Sequence, residues 1–204
     1  MGLFEWKTPA WDELSEIISG ETHRPGFPHG PYFSHQHREW EIRIDHIDSR
    51  KGGSLYGTAV RALFASTSDF QFNVRPRTLF TFLRNLIHGK DFTTGDPDFD
   101  EQLVTRTNAT REIGRLPAKA EIRQGLLELM PYGNQWRFEI RKDEGLMFPL
   151  PENGTSLLFF RSESVIEDVS ALLEICVIFC ETLDLLVTLD LATEDKAEGE
   201  LLMP

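Results

Sequence analysis

The feature that most constrains the fold is one-sided alternation. In "REWEIRIDHI", Trp40, Ile42 and Ile44 fall on one face and Glu41, Arg43 and Asp45 on the other. "LYGTAVRALF" sets Thr58, Val60, Ala62 and Phe64 against Arg61 and its neighbours, and "FQFNV" groups Phe70, Phe72 and Val74. A period of two with one apolar side belongs to an antiparallel sheet with one face on the core and the other facing water. "KGGS" at Lys51 to Ser54 fits a hairpin connection. Further strand-like runs are Leu103 to Thr107, "QWRFEI", "SLLFF" and a short "LMFPL" weakened by Pro149.

Between these runs the spacing turns helical. "TPAWDELSEIISG" has a capping Thr8, Pro9 at the first position, Trp11, Leu14 and Ile18 on one face, and Gly20 as a stop. "PRTLFTFLRNLIHG" and "PAKAEIRQGLLELM" carry helical stripes, and "ATREIGR" reads as a shorter piece. The clearest element comes last. Ser164 and Glu167 form a capping-box pattern, and an apolar stripe runs from Val165 to about Leu186. Ile175, Val177 and Ile178 widen that stripe, so more than one face needs cover. The cover is either a helix of the same chain, with Arg77 to His88 favoured, or the same helix of a second copy in a homodimer.

Strands and helices come in blocks without regular alternation, which predicts the α+β class. The expected architecture is a mainly antiparallel sheet of about five to seven strands, helices packed on one face, and a long C-terminal helix. Residues 1–190 should form one domain, and 191–204 an acidic, frayed tail.

Composition narrows the function classes. A formal net charge of -12 repels nucleic acid and anionic membrane surfaces unless a basic patch intervenes, and no basic run is present. No apolar run is long and uncharged enough for a transmembrane helix. The start "MGLFEWKTPAW" is no signal peptide, and Trp6 spoils a myristoylation pattern. With only Cys176 and Cys180, both in an apolar stretch, no disulfide framework is expected. These readings place the protein in the cytoplasm.

Three groups of residues invite a chemical reading. "TTGDPDFDEQ" brings Asp96, Asp98 and Asp100 together like the start of a calcium loop. Glu101 and Thr107 then stand where such a loop needs glycine and glutamate. The helix-start reading uses every residue: Gly95 turns, Asp96 caps, Pro97 takes the first position, and Phe99 pins the turn to the core. His35 and His37 form H-x-H, which on a strand would point both rings to one face and suit a metal, with His23, His29 or Glu39 to complete the set. Cys176 and Cys180, four apart on one helix, read as core filling. Finally, Arg61, Arg75 and Arg106 lie on strands that can be neighbours, and with the Asp96 to Asp100 turn they could line an anion pocket on the wet face. Arg77 belongs to the same arginine group. No nucleophile elbow, P-loop, dinucleotide fingerprint or zinc-protease motif is present.

The order of "WEIRIDHID", "GTAVRALFAS", "FQFNVRP", "GDPDFD" and "LLEICVIFCETLDLL" resembles a family of uncharacterised bacterial proteins. Their pattern is a tryptophan strand ending in Asp, a strand bearing threonine and arginine, G-D-P-x-F-D, and a closing helix ending E-T-L-D. The matching positions are Trp40 to Asp45, Thr58 and Arg61, Gly95 to Asp100, and Glu181 to Asp184. The resemblance implies one shared domain and a bacterial cytoplasmic setting, without an activity. The His-rich segment lies outside that pattern.

The leading functional expectation is a non-catalytic cytoplasmic module that binds a protein partner or itself, without a cofactor. The alternative is an enzyme or small-ligand binder using the arginine pocket. Metal binding through His35 and His37 comes third.

Overall fold

The computed structural model describes residues 8–25, 30–49, 55–78, 92–109, 116, 119–133, 135–142, 154–195 and 197. Their elements, in chain order, are α1 (Pro9–Ile17), β1 (Gly20–His23), β2 (Tyr32–His37), β3 (Trp40–Ser49), β4 (Leu55–Ala65) and β5 (Phe72–Pro76). There follow α2 (Pro97–Gln102), β6 (Leu103–Thr107), α3 (Ala120–Glu128), a 3-10 turn (Met130–Tyr132), β7 (Trp136–Arg141), β8 (Thr155–Ser162) and α4 (Val169–Thr188). The chain is α+β. One 8-stranded antiparallel sheet runs in the order β1-β2-β3-β4-β8-β7-β5-β6.

The alternation does what its period requires. Trp40, Ile42 and Ile44 of β3 enter the main core with Val60, Ala62 and Phe64 of β4. The registers Ile44↔Val60 and Val60↔Phe160 put β8 on the same side. Trp136, Phe138 and Ile140 of β7 and Phe72 and Val74 of β5 complete the row. Phe138 meets Phe179 of α4 edge-on at 5.7 Å, so the long helix packs on this face.

The eight strands pass the expected five to seven, and two of them lie where no strand was expected. "GETH" and "YFSHQH" form β1 and β2, and Gly20 opens a strand instead of closing a helix. The hairpin at 51–54, the helices expected in 77–88 and "ATREIGR", and the strand "LMFPL" fall wholly or largely outside the described residues.

The start of α4 also differs from expectation. Its N-cap is Asp168, whose carboxylate accepts from Ala171 N at 3.1 Å, not Ser164. Residues 164–166 are held extended because Thr58 takes them: Thr58 N donates to Ser164 O at 3.2 Å, and Ile166 N donates to Thr58 Oγ1 at 2.8 Å. A distant strand has overridden a local capping pattern.

The wide stripe of α4 is covered in part within the chain. Ile175 and Ile178 are buried, the cover including α3, while Val177 stays 39% exposed. Gly125 permits the approach: a Cβ there would lie 2.7 Å from Ile178 Cγ1. The beginning of the tail is also docked. Leu191, Ala192 and Ala197 are buried, Thr193 N donates to Ala65 O at 3.0 Å, and Thr67 N donates to Leu191 O at 3.1 Å. Fraying therefore does not begin at 191. Among the described residues no helix is long and apolar enough to cross a membrane.

Candidate functional site

Asp96 Oδ1 accepts from Phe99 N at 3.0 Å, and Pro97 opens α2. Asp100 closes the preceding turn: its carboxylate accepts from Thr94 N and Thr94 Oγ1 at 2.9 Å and from Gly95 N at 3.0 Å. Gly95 takes φ 90, and Phe99 is wholly buried. Arg123 Nε of α3 lies 3.3 Å from Asp96 Oδ2. The turn thus points Asp96 and Asp100 at its own backbone and Asp96 also at α3, and its geometry is that of a helix start.

His35 and His37 do share a sheet face, but each has its own partner. His35 Nδ1 is 2.8 Å from Ser19 O, and His37 Nε2 is 2.9 Å from Asp184 Oδ1. His23 Nε2 bonds Ser34 Oγ at 2.8 Å on the opposite face. Among the described residues no group of three or more His, Cys, Asp or Glu side chains could hold a metal ion. His29 lies outside the described residues.

Burial raises the Cys180 thiol to about 11, with Asp184 and Glu181 adding to the effect, and burial pushes Cys176 up as well. Cys176 is buried and Cys180 half-buried. Neither is poised as a thiolate nucleophile.

The arginines give a different picture. The registers Arg43↔Arg61, Arg61↔Phe159, Arg137↔Arg161, Asn73↔Glu139 and Asn73↔Arg106 place their side chains on one face, opposite the helices. Read across the sheet, Arg43 (β3), Arg61 (β4), Arg161 (β8), Arg137 and Arg141 (β7), Arg75 (β5) and Arg106 (β6) supply at least one arginine from each of the six strands from β3 to β6, while β1 and β2 have none. The expected pocket does not form as one site. Arg61 is 1% exposed and in contact with Asp45, which is itself buried. β8 and β7 stand between Arg61 and Arg75, and the Asp96 to Asp100 turn pairs with α3 instead. A second apolar cluster of Ile47, Ala59, Leu157 and Phe159 also lies on the arginine face, so that face is not simply wet.

Burial pushes the Asp45 carboxyl upward, while Arg61 and, more weakly, Arg43 pull it down. Arg43 is held by Glu41 at 3.0 Å and lies 4.2 Å above the Tyr32 ring. At the β6 end, Arg106 and Arg141 flank a shallow open depression of about 330 Å³, lined also by Gln71, Asn73, Asn108 and Glu139. Asn73 Nδ2 donates to Glu139 Oε2 at 2.7 Å, and Arg141 Nη1 lies 3.4 Å from Glu139 Oε1.

Arg137 and Arg161 went unnoticed in the sequence. Alternation in "QWRFEIR" and "SLLFFRS" gives their face, but only the strand register sets them side by side. Compared with known proteins, the chain matches no family model, no curated protein and no solved structure.

Proposed function

We propose that the chain is a non-catalytic binding module that holds an anionic partner or ligand on the arginine-bearing face of its sheet. The observation that carries this reading is the arginine row. In a chain of net charge -12, every strand from β3 to β6 in sheet order turns an arginine to the same face. Arginine suits the role because its planar fork donates two parallel hydrogen bonds to an oxyanion.

The non-catalytic part rests on how the ionisable groups are used. Asp45 neutralises Arg61, the thiols are held protonated, and Asp96 and Asp100 close a turn. The two unpaired cysteines suit a reducing, cytoplasmic compartment. The depression at Arg106 and Arg141 is open and shallow, which suits docking better than enclosed chemistry. On α4, α3 already covers Ile178, which leaves Val177 as the exposed apolar residue of its widest part.

Thermal denaturation with phosphate, sulfate, citrate and chloride at matched ionic strength tests the reading. Multivalent oxyanions should raise Tm above the chloride value. Equal behaviour in all four salts would remove the anion-binding function.

A further inference from the structure

On the arginine face one row lacks an acid. Arg137 on β7 and Arg161 on β8 are direct cross-strand partners. Neighbouring strands lie about 4.8 Å apart, and like charges placed directly opposite are destabilising. Elsewhere on this face an acid relieves the problem: Asp45 beside Arg61, Glu41 beside Arg43, Glu139 beside Arg141. Among the described residues neither the Arg137 nor the Arg161 side chain makes a hydrogen bond or ion pair, and Arg161 Nε is buried with no hydrogen-bond partner. Glu139, two residues from Arg137, is held by Asn73 and Arg141. Glu163, two residues from Arg161, pairs with neither arginine. Arg75 stands opposite Arg137 one step beyond the last β5–β7 partners, Val74↔Phe138, but it has an interaction of its own.

Resting on the reading that this face binds anions, we infer that Arg137 and Arg161 clamp a phosphoryl group. Two adjacent guanidinium groups without a counter-charge call for about two negative charges, and a phosphomonoester carries about -1.5 to -2 at neutral pH. A carboxylate supplies half of that. The tetrahedral group also offers enough oxygens for a fork from each arginine. Arg137 is exposed and Arg161 half-buried, so the site opens to solvent at one side and is rooted in the sheet at the other. The strongly negative chain disfavours a long polyanion, so the ligand class is a small phosphate compound, either free phosphate or a simple phosphomonoester.

The test titrates the full chain with inorganic phosphate, glycerol phosphate and acetate at constant ionic strength, by calorimetry and by thermal denaturation. Arg137→Gln and Arg161→Gln are compared with the unsubstituted protein. Phosphate or glycerol phosphate should bind, acetate should bind at least about tenfold more weakly, and each substitution should weaken phosphate binding about tenfold or more. Binding of inorganic phosphate alone assigns the site to the free ion, and binding of both assigns it to the phosphoryl group. Without phosphate, Arg137→Gln should leave Tm unchanged or raised, because it relieves a like-charge pair. Should Arg161→Gln fail to fold, exposed Arg137 carries the test alone. Phosphate binding that survives Arg137→Gln overturns the clamp but leaves an anion-binding face. Equal binding of acetate overturns the phosphoryl assignment, and no binding of any probe overturns both proposals.

Discussion

Arg61 Nη2 lies against Asp45 Oδ2 on the face of the sheet away from the helices, with both side chains almost wholly removed from water. In such a site the ions attract strongly, but each has also lost its hydration. Removing one partner leaves the other charge buried. Asp45→Leu or Arg61→Met alone should therefore cost about 3–5 kcal/mol, measured by urea unfolding. The double substitution should recover most of that loss, because the desolvation penalty disappears with the pair. Additive losses would show that the contact contributes little to the energetics.

His46 gives a pH signature. It stacks on Trp11 at 4.6 Å, and burial lowers its pKa from the ordinary 6.5, opposed by Glu167 and a backbone contact at Gly57. A lowered folded value means that the unfolded chain takes up the proton first. The stabilisation is therefore present above the unfolded value and is lost as pH falls through the folded one. The urea midpoint should fall between about pH 7.5 and pH 5.5, and His46→Phe, which keeps the stack, should flatten that part of the curve. An unchanged slope in the variant would assign the pH dependence to other groups.

The turn before α2 predicts a graded series. Asp96→Ala removes the cap to Phe99 N and the partner of Arg123, and should cost about 0.5–2 kcal/mol. Asp96→Asn keeps a capping oxygen and should recover most of the loss. Calcium or EDTA should leave the melting temperature of the unsubstituted protein where it is. A rise of several degrees with calcium would reinstate a metal loop.

The thiols should label slowly and in order. Cys180, half-buried and raised to about 11, should react well below the rate of a free thiol at neutral pH. Cys176 should react only once the chain unfolds. Mass spectrometry of alkylated protein reads both, and early labelling of Cys176 would mean that the face of α4 has been misassigned.

The legible parts of the fold were those where one strand's own pattern suffices. Trp40, Ile42 and Ile44 are all buried, as their alternation predicts. β2 escaped because its core-side positions are Phe33, His35 and His37, and imidazoles do not register as apolar. The false start of α4 had a different cause, since Thr58 comes from far away to hold Ile166 N. The arginine row was hidden for the same kind of reason. Each guanidinium is visible in the sequence, but the identity of its neighbour depends on pairing between distant strands.

The junction of β4 with β8 sets a problem in time. β1 to β4 are sequential neighbours and can pair as they appear, whereas the inner edge of β4 must wait for a strand that begins at Thr155, roughly 90 residues after Ala65. At about 5–20 residues per second that delay is roughly 5–18 s during synthesis. Throughout it, Val60 and Ala62 lack Phe160 and Leu158, their partners in the finished sheet, and the strand edge is a template for another nascent chain. The late arrival of β8 therefore makes neighbouring nascent chains on one messenger the natural competitors for the open edge of β4.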